Sequence, residues 1–156
     1  MNDALSMNDA DIADLYQELI VDHSRRPRNF RRLEHATHQA EGFNPLCGDK
    51  VTLYVDVEGD VVRDISFEGE GCAISRASAS LMTESVKGKS KAEAAQLFSM
   101  LRDLVTGIGT ADRAALGKLA VFSGVRAFPV RVKCATLAWH TLRAALEEGA
   151  GTVSTE

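Results

Sequence analysis

The sequence predicts an α+β fold in which a small three-stranded antiparallel sheet packs against several helices. Two observations carry that class. Val51, Leu53, Val55 and Val57 alternate with polar residues, then Glu58-Gly59-Asp60 turns the chain into Val61, Ile65 and Phe67, the pattern of a half-buried hairpin. On both sides of this hairpin apolar residues recur at helical spacings, with a capping signature at Ser90 to Glu93 and Pro129 at the first position of a later helix. At 156 residues the chain can bury a core without staples, and it reads as a single domain over 1–156 with flexible ends at 1–8 and 149–156.

Asn8 is expected to cap a first helix whose Ile12, Leu15, Leu19 and Ile20 share one buried face, and Pro27 ends it. His23 lies one turn further on and is read as structural, with metal ligation the less favoured reading. Arg25 to Arg32 holds five arginines around Phe30. A solvated loop is the plain reading of that run and a docking surface for an acidic partner the sharper one. Thr37 to Glu41 supplies the third strand, which puts Cys47 in the loop entering the hairpin and Cys72 in the loop leaving it, at one end of the sheet.

Ala73 to Val86 reads as a helix with Ile74, Ala77, Leu81 and Ser85 as a narrow inward stripe, stopped by Gly88. Ser90 opens a third helix with Leu97, Phe98, Leu101, Leu104 and Val105 as its apolar face, and Gly107-Ile108-Gly109 breaks it. Residues 110–128 read as short helices around Leu116, Leu119, Val121 and Phe122. From Pro129 onward, Val130, Cys134, Leu137, Ala138, Thr141, Leu142 and Ala145 form an inward stripe that includes one cysteine.

The net charge of -4 gives no global basic field for nucleic acid. No run approaches the roughly 18 apolar residues of a membrane span, and the start Met1-Asn2-Asp3 has no basic leader, so a cytoplasmic location is expected. Three widely spaced cysteines favour reduced thiols over a disulfide framework. Cys47 and Asp49 stand two apart on a turn made by Pro45 and Gly48, and both can point at one metal. Cys72 stands at a helix N-terminus, where unpaired N–H groups favour thiolate, and Cys134 near the start of another helix. Three soft thiolates with one harder oxygen suit a tetrahedral zinc site. The bland alternatives are a turn residue for Asp49, a small buried hydrophobe for Cys134, and a purely structural zinc, although no CxxC knuckle is present.

Asn44-Pro45-Leu46-Cys47-Gly48-Asp49, Phe67 through Ser75 and Pro129 through Leu137 closely resemble the IscU-like iron-sulfur assembly proteins, as do Tyr16 through His23 and Pro27-Arg28-Asn29. IscU scaffolds carry a histidine directly before the third cysteine; here that residue is Lys133, which cannot ligate while protonated. The interval Gly107 to Phe128 resembles the insertion of the SufU branch, whose members bind zinc and accept sulfur from a pyridoxal-phosphate cysteine desulfurase. That resemblance implies a SufE/IscU-like α/β sandwich, Zn2+ on Cys47, Asp49, Cys72 and Cys134, and a SufS-type desulfurase partner with iron-sulfur scaffold proteins downstream. It also implies that the desulfurase displaces Cys47 from the metal, leaving Cys47 to accept the sulfur. Arg131, one helical turn before Cys134, is placed to support a ligand or else to sit at the surface. The activity implied is sulfur transfer and not hydrolysis, because a closed four-ligand site holds no water and the deaminase pattern is absent. The alternative is an IscU-type scaffold carrying an iron-sulfur cluster transiently, a binding function.

Overall fold

The period-two run and its flanking helices fold as the α+β class requires. In this computed structural model, which describes residues 9–108 and 112–154, helix α1 (Asp9–Arg25) precedes strands β1 (His38–Asn44), β2 (Asp49–Glu58) and β3 (Val61–Glu70). Helices α2 (Ala73–Val86), α3 (Lys91–Thr106) and α4 (Arg113–Leu116) follow, then a 3-10 stretch (Gly117–Ala127), α5 (Pro129–Glu148) and β4 (Ala150–Ser154). The sheet order is β3-β2-β1-β4, antiparallel except for the parallel pair of β1 and β4. The proposed cap Asn8 and the breaker Gly109 lie outside the described residues.

Four strands replace the three expected. The small polar tail, read as flexible, supplies β4: Gly149 adopts φ 76 at the end of α5 and turns the chain back along β1, and its carbonyl accepts from the Gln39 N–H. Its few apolar residues gave no signal, because a parallel edge strand is held by its ladder. The hairpin also departs from strict alternation. A bulge between Asp56 and Val57 shifts the register, so Val62 becomes fully buried while Val61 is 42% exposed.

Helix α2 has the predicted bounds, and its Ala and Ser residues let α5 come close: the Ser78 hydroxyl donates to the Ala135 carbonyl at 2.5 Å inside the core. Helix α3 opens with the capping box, Glu93 N–H donating to Ser90 Oγ and Ser90 N–H to the Glu93 carboxylate. Leu116, Leu119, Val121 and Phe122 are buried in the segment that sequence could not order. In α1, Leu19 and Ile20 pack on the core, whereas Leu15 is 51% exposed because α1 lies along α2 by its later turns. Val130 is exposed too, since the first turn of α5 overhangs the sheet end.

His23 is a core residue, as the structural reading held. His23 Nδ1 lies 2.7 Å from Ser80 Oγ, which also accepts the Arg28 N–H, and His23 Nε2 lies 3.6 Å from Glu84 Oε1. Burial, and then Arg28, hold its pKa below the ordinary 6.5. The native state thus binds fewer protons than the unfolded chain, and stability present above pH 6.5 falls as pH drops through the folded value. In metal-free protein, His23→Gln should flatten that fall between about pH 7 and 5, read from urea midpoints.

Gly42 of β1 lies under α5. A Cβ there would collide with Thr141 Oγ1 and approach Leu137 Cδ1 to 3.1 Å, so glycine sets how closely the Cys134 helix sits on the sheet. Gly42→Ala should cost about 1–3 kcal/mol by overpacking. Thr141→Ala in the same chain should return part of that loss; additive losses in a double-mutant cycle would place the cause elsewhere.

Candidate metal centre

Three segments remote in sequence meet at the end of the sheet where β1 turns into β2 and β3 leaves for α2. Asn44 and Asp49 face each other across the β1–β2 pair, and the turn between them carries Cys47, with Gly48 at φ 71. The Cys47 N–H donates to the Asn44 carbonyl, leaving its side chain half-buried beside Leu46, which is 64% exposed. Asp49 is buried, and its Oδ1 accepts the N–H of Cys72, the N-cap of α2, at 2.9 Å. Gly71 permits that approach: a Cβ there would lie 2.5 Å from Asp49 Oδ1.

Cys134 comes in from α5, fully buried, with its sulfur 3.4 Å from that of Cys47. Donor atoms of Cys47, Asp49 and Cys134 all lie within 4.8 Å of one another. The Cys72 sulfur stands at the edge of this group, 3.9 Å from Asp49 Oδ2. Tetrahedral zinc with Zn–S near 2.3 Å separates its sulfurs by roughly 3.8 Å. The donor set therefore fits zinc in both chemistry and spacing, with Cys72 needing the largest adjustment. All three thiols are free.

The electrostatics follow from the crowding. Burial pushes the Cys134 thiol well up, and hydrogen bonding with Cys47 and Asp49 and the charge of Cys72 add to it, so without a cation this sulfur stays protonated. Arg131 is exposed, and its pKa is raised first by hydrogen bonding with Cys134, then by the charges of Cys72, Cys134 and Cys47. It stands over the thiols, at the place expected for a supporting cation. Lys133 is half-buried on the same turn.

One neighbour was not assigned a role from sequence. Asn44 is fully buried, directs Nδ2 to the Cys134 sulfur at 3.6 Å, and leaves Oδ1 without a partner among the described residues. Its place at the head of the Asn44 to Asp49 motif was the signal that could have found it. Phe128 and Val130, 62% and 51% exposed, rim the mouth over Cys47 and Cys72 together with Arg131. A groove of about 960 Å3 shares Phe128 and Arg131 with that mouth and adds Arg113, Arg126 and Tyr16, with no carboxylate among its described lining residues. Two of the five arginines in the run are paired, Arg28 with Asp22 and Arg31 with Asp64, and Phe30 packs on Phe67 and Arg76.

Residues 15–153 match the family model of the NifU-like N terminal domain. The chain is 42% identical to the zinc-dependent sulfurtransferase SufU of Bacillus subtilis over 90% of its own length and 96% of that protein's. It is 40% identical to the iron-sulfur cluster assembly scaffold protein IscU of Streptococcus pyogenes, covering 87% and 85%. Among solved structures, FiSufU of Fervidobacterium islandicum AW-1, described as a scaffold protein for the SUF system, superimposes with a TM-score of 0.80 at 41% identity over 83% of this chain and 95% of that one.

Removing the carboxylate tests the centre. Asp49→Ala leaves the Cys72 N–H without its acceptor and should cost about 1–3 kcal/mol in metal-free protein. Asp49→Asn, which keeps an acceptor oxygen, should cost less. Zinc affinity in competition with a chromophoric chelator should fall for both; an unchanged affinity would reduce Asp49 to a turn residue.

Proposed function

The chain belongs to the family of NifU-like N-terminal domains, among its SufU and IscU-type members, and on that premise we propose that it is a zinc-dependent sulfur acceptor in iron-sulfur cluster biogenesis. The sulfur comes from a pyridoxal-phosphate cysteine desulfurase of the SufS type and passes on to iron-sulfur scaffold proteins, in the cytoplasm. The carrying observation is the convergence of Cys47, Asp49 and Cys134 within 4.8 Å, with Cys72 against the same carboxylate, in which Cys47 sits on the β1–β2 turn while Cys72 is held at the N-cap of α2.

In this reading Cys47, Asp49, Cys72 and Cys134 hold the metal. Bound zinc keeps the thiols deprotonated while engaging their lone pairs, protecting them from stray oxidants and alkylators. Cys47 is the acceptor, because Cys134 is locked in the core by α5 and the Cys72 backbone is bonded to Asp49. In the transfer, the Cys47 thiolate attacks the outer sulfur of the donor's cysteine persulfide; the donor's S–S bond breaks, its cysteine leaves as thiolate, and the sulfane sulfur remains on Cys47 as a new persulfide. No net oxidation or reduction occurs. Arg131 offsets the negative charge gathered at the mouth, and the apolar rim of Phe128 and Val130 with the arginine-lined groove beside it supports a protein donor rather than a small one.

The names IscU and SufU both occur among the relatives at nearly equal identity, so the scaffold reading stands as the second. Lys133 weighs against it, since no imidazole lies at that position. Protein purified without added metal should be colourless with about one zinc per chain, whereas a brown protein with visible absorbance would favour the scaffold. After incubation with desulfurase and cysteine, peptide mass spectrometry should locate one added sulfur on Cys47, absent in Cys47→Ser. Sulfur found chiefly on Cys72 or Cys134 would sink the acceptor assignment.

A further inference from the structure

Away from the thiols, the second half of α5 and the outer face of α3 enclose a pocket of about 240 Å3 that shares no lining residue with the thiol mouth. Ala94, Phe98, Trp139 and Leu142 are buried residues of its wall, and Leu146 adds further apolar surface. Its charged lining is Lys91, Arg102 and Arg143 against Glu147 alone, a local excess of positive charge on a chain whose net charge is -4.

The cations are not distributed as a solvated face would be. Arg102 and Arg143 both lie over the Phe98 ring, at 5.4 and 5.3 Å from its centroid, so two like charges share one ring. Among the described residues no carboxylate comes within salt-bridge distance of either one or of Lys91. The third group on that ring, His140, sits edge-on at 4.9 Å with Nδ1 3.3 Å from Arg143 Nη2, so it adds no negative charge. Trp139 is fully buried and contributes to the apolar wall. An apolar pocket with two guanidinium groups and a lysine at its rim, none of them paired with a carboxylate among the described residues, is the arrangement that a ligand with an oxyanion and a flat or compact body would complete.

We infer that this pocket between α3 and α5 binds a compact amphiphilic anion, a single aromatic system or short aliphatic body bearing a carboxylate. The volume lies below the roughly 300–1,000 Å3 of drug-sized sites, which excludes a nucleotide. The guanidinium pair takes the carboxylate, and Phe98, Trp139 and Leu142 take the body.

Trp139 is the chain's one tryptophan, so its indole N–H gives a single resonance in a nitrogen-15 correlation spectrum. Titration of the zinc-loaded full chain with 1-naphthoate should move that resonance saturably. Arg102→Gln/Arg143→Gln, both exposed positions, should weaken the affinity roughly tenfold or more, and so should replacing the carboxylate probe by the neutral 1-naphthylmethanol. Ala94→Leu should block binding by filling the wall, provided its melting curve shows it folded. No saturable shift at millimolar probe, an unchanged affinity in the double arginine variant, or equal binding of the neutral analogue would each overturn the proposal. None of these readouts depends on sulfur transfer, so failure here leaves the thiol centre untouched.

Discussion

The metal end of the molecule depends on one buried carboxylate. Asp49 begins β2, faces Asn44 across the turn that presents Cys47, and accepts the first N–H of α2 from Cys72, so one side chain joins two loops that are 23 residues apart. A carboxylate this far out of water is tolerated only where donors meet it, and the start of a helix offers both a free N–H and the favourable end of the helix dipole. Gly71 is required for the same reason, because any Cβ would stand between the acid and the helix it caps. The packing of α5 on β1, β2 and α2, and of α2 on β3, brings these pieces within reach; the Asp49 contact fixes their registry to within a hydrogen bond.

How much of this was legible follows from which forces leave a local trace. The capping box at Ser90 and the α2 bounds were readable because they are written in residues adjacent in sequence. The hairpin predicted that the Cys47 and Cys72 loops share one sheet end, and the family resemblance added Cys134; the geometry gathers Cys47, Asp49 and Cys134, with Cys72 at their edge. The bulge at Asp56 and the addition of β4 left no trace, since both depend on backbone pairing and not on side-chain period. Asn44 could not be given its place beside Cys134 because the partners are 90 residues apart. Leu15 and Val130 satisfied the helical period and are exposed all the same, for periodicity marks a face but not where along the helix the covering partner ends.

The thiols differ in how they are held, and that difference bears on what the centre can do. Cys134 belongs to the core: its helix is pinned to α2 by the Ser78 to Ala135 hydrogen bond, and α5 sits on β1 at the distance Gly42 allows. Moving its sulfur would mean moving packed helices, which a close-packed interior resists. Cys72 can rotate its side chain but not its backbone, which Asp49 holds. Cys47 is supported by a single turn hydrogen bond, next to an exposed leucine and a glycine in the left-handed region. Its displacement costs a loop rearrangement and its sulfur contact with Cys134, and leaves the helix and sheet packing in place. Cys47 and Cys72 both line the solvent-facing mouth, and of the two only Cys47 has a backbone free of the Asp49 carboxylate, so on the proposed function it is the donor that would open to an incoming persulfide without unfolding the chain.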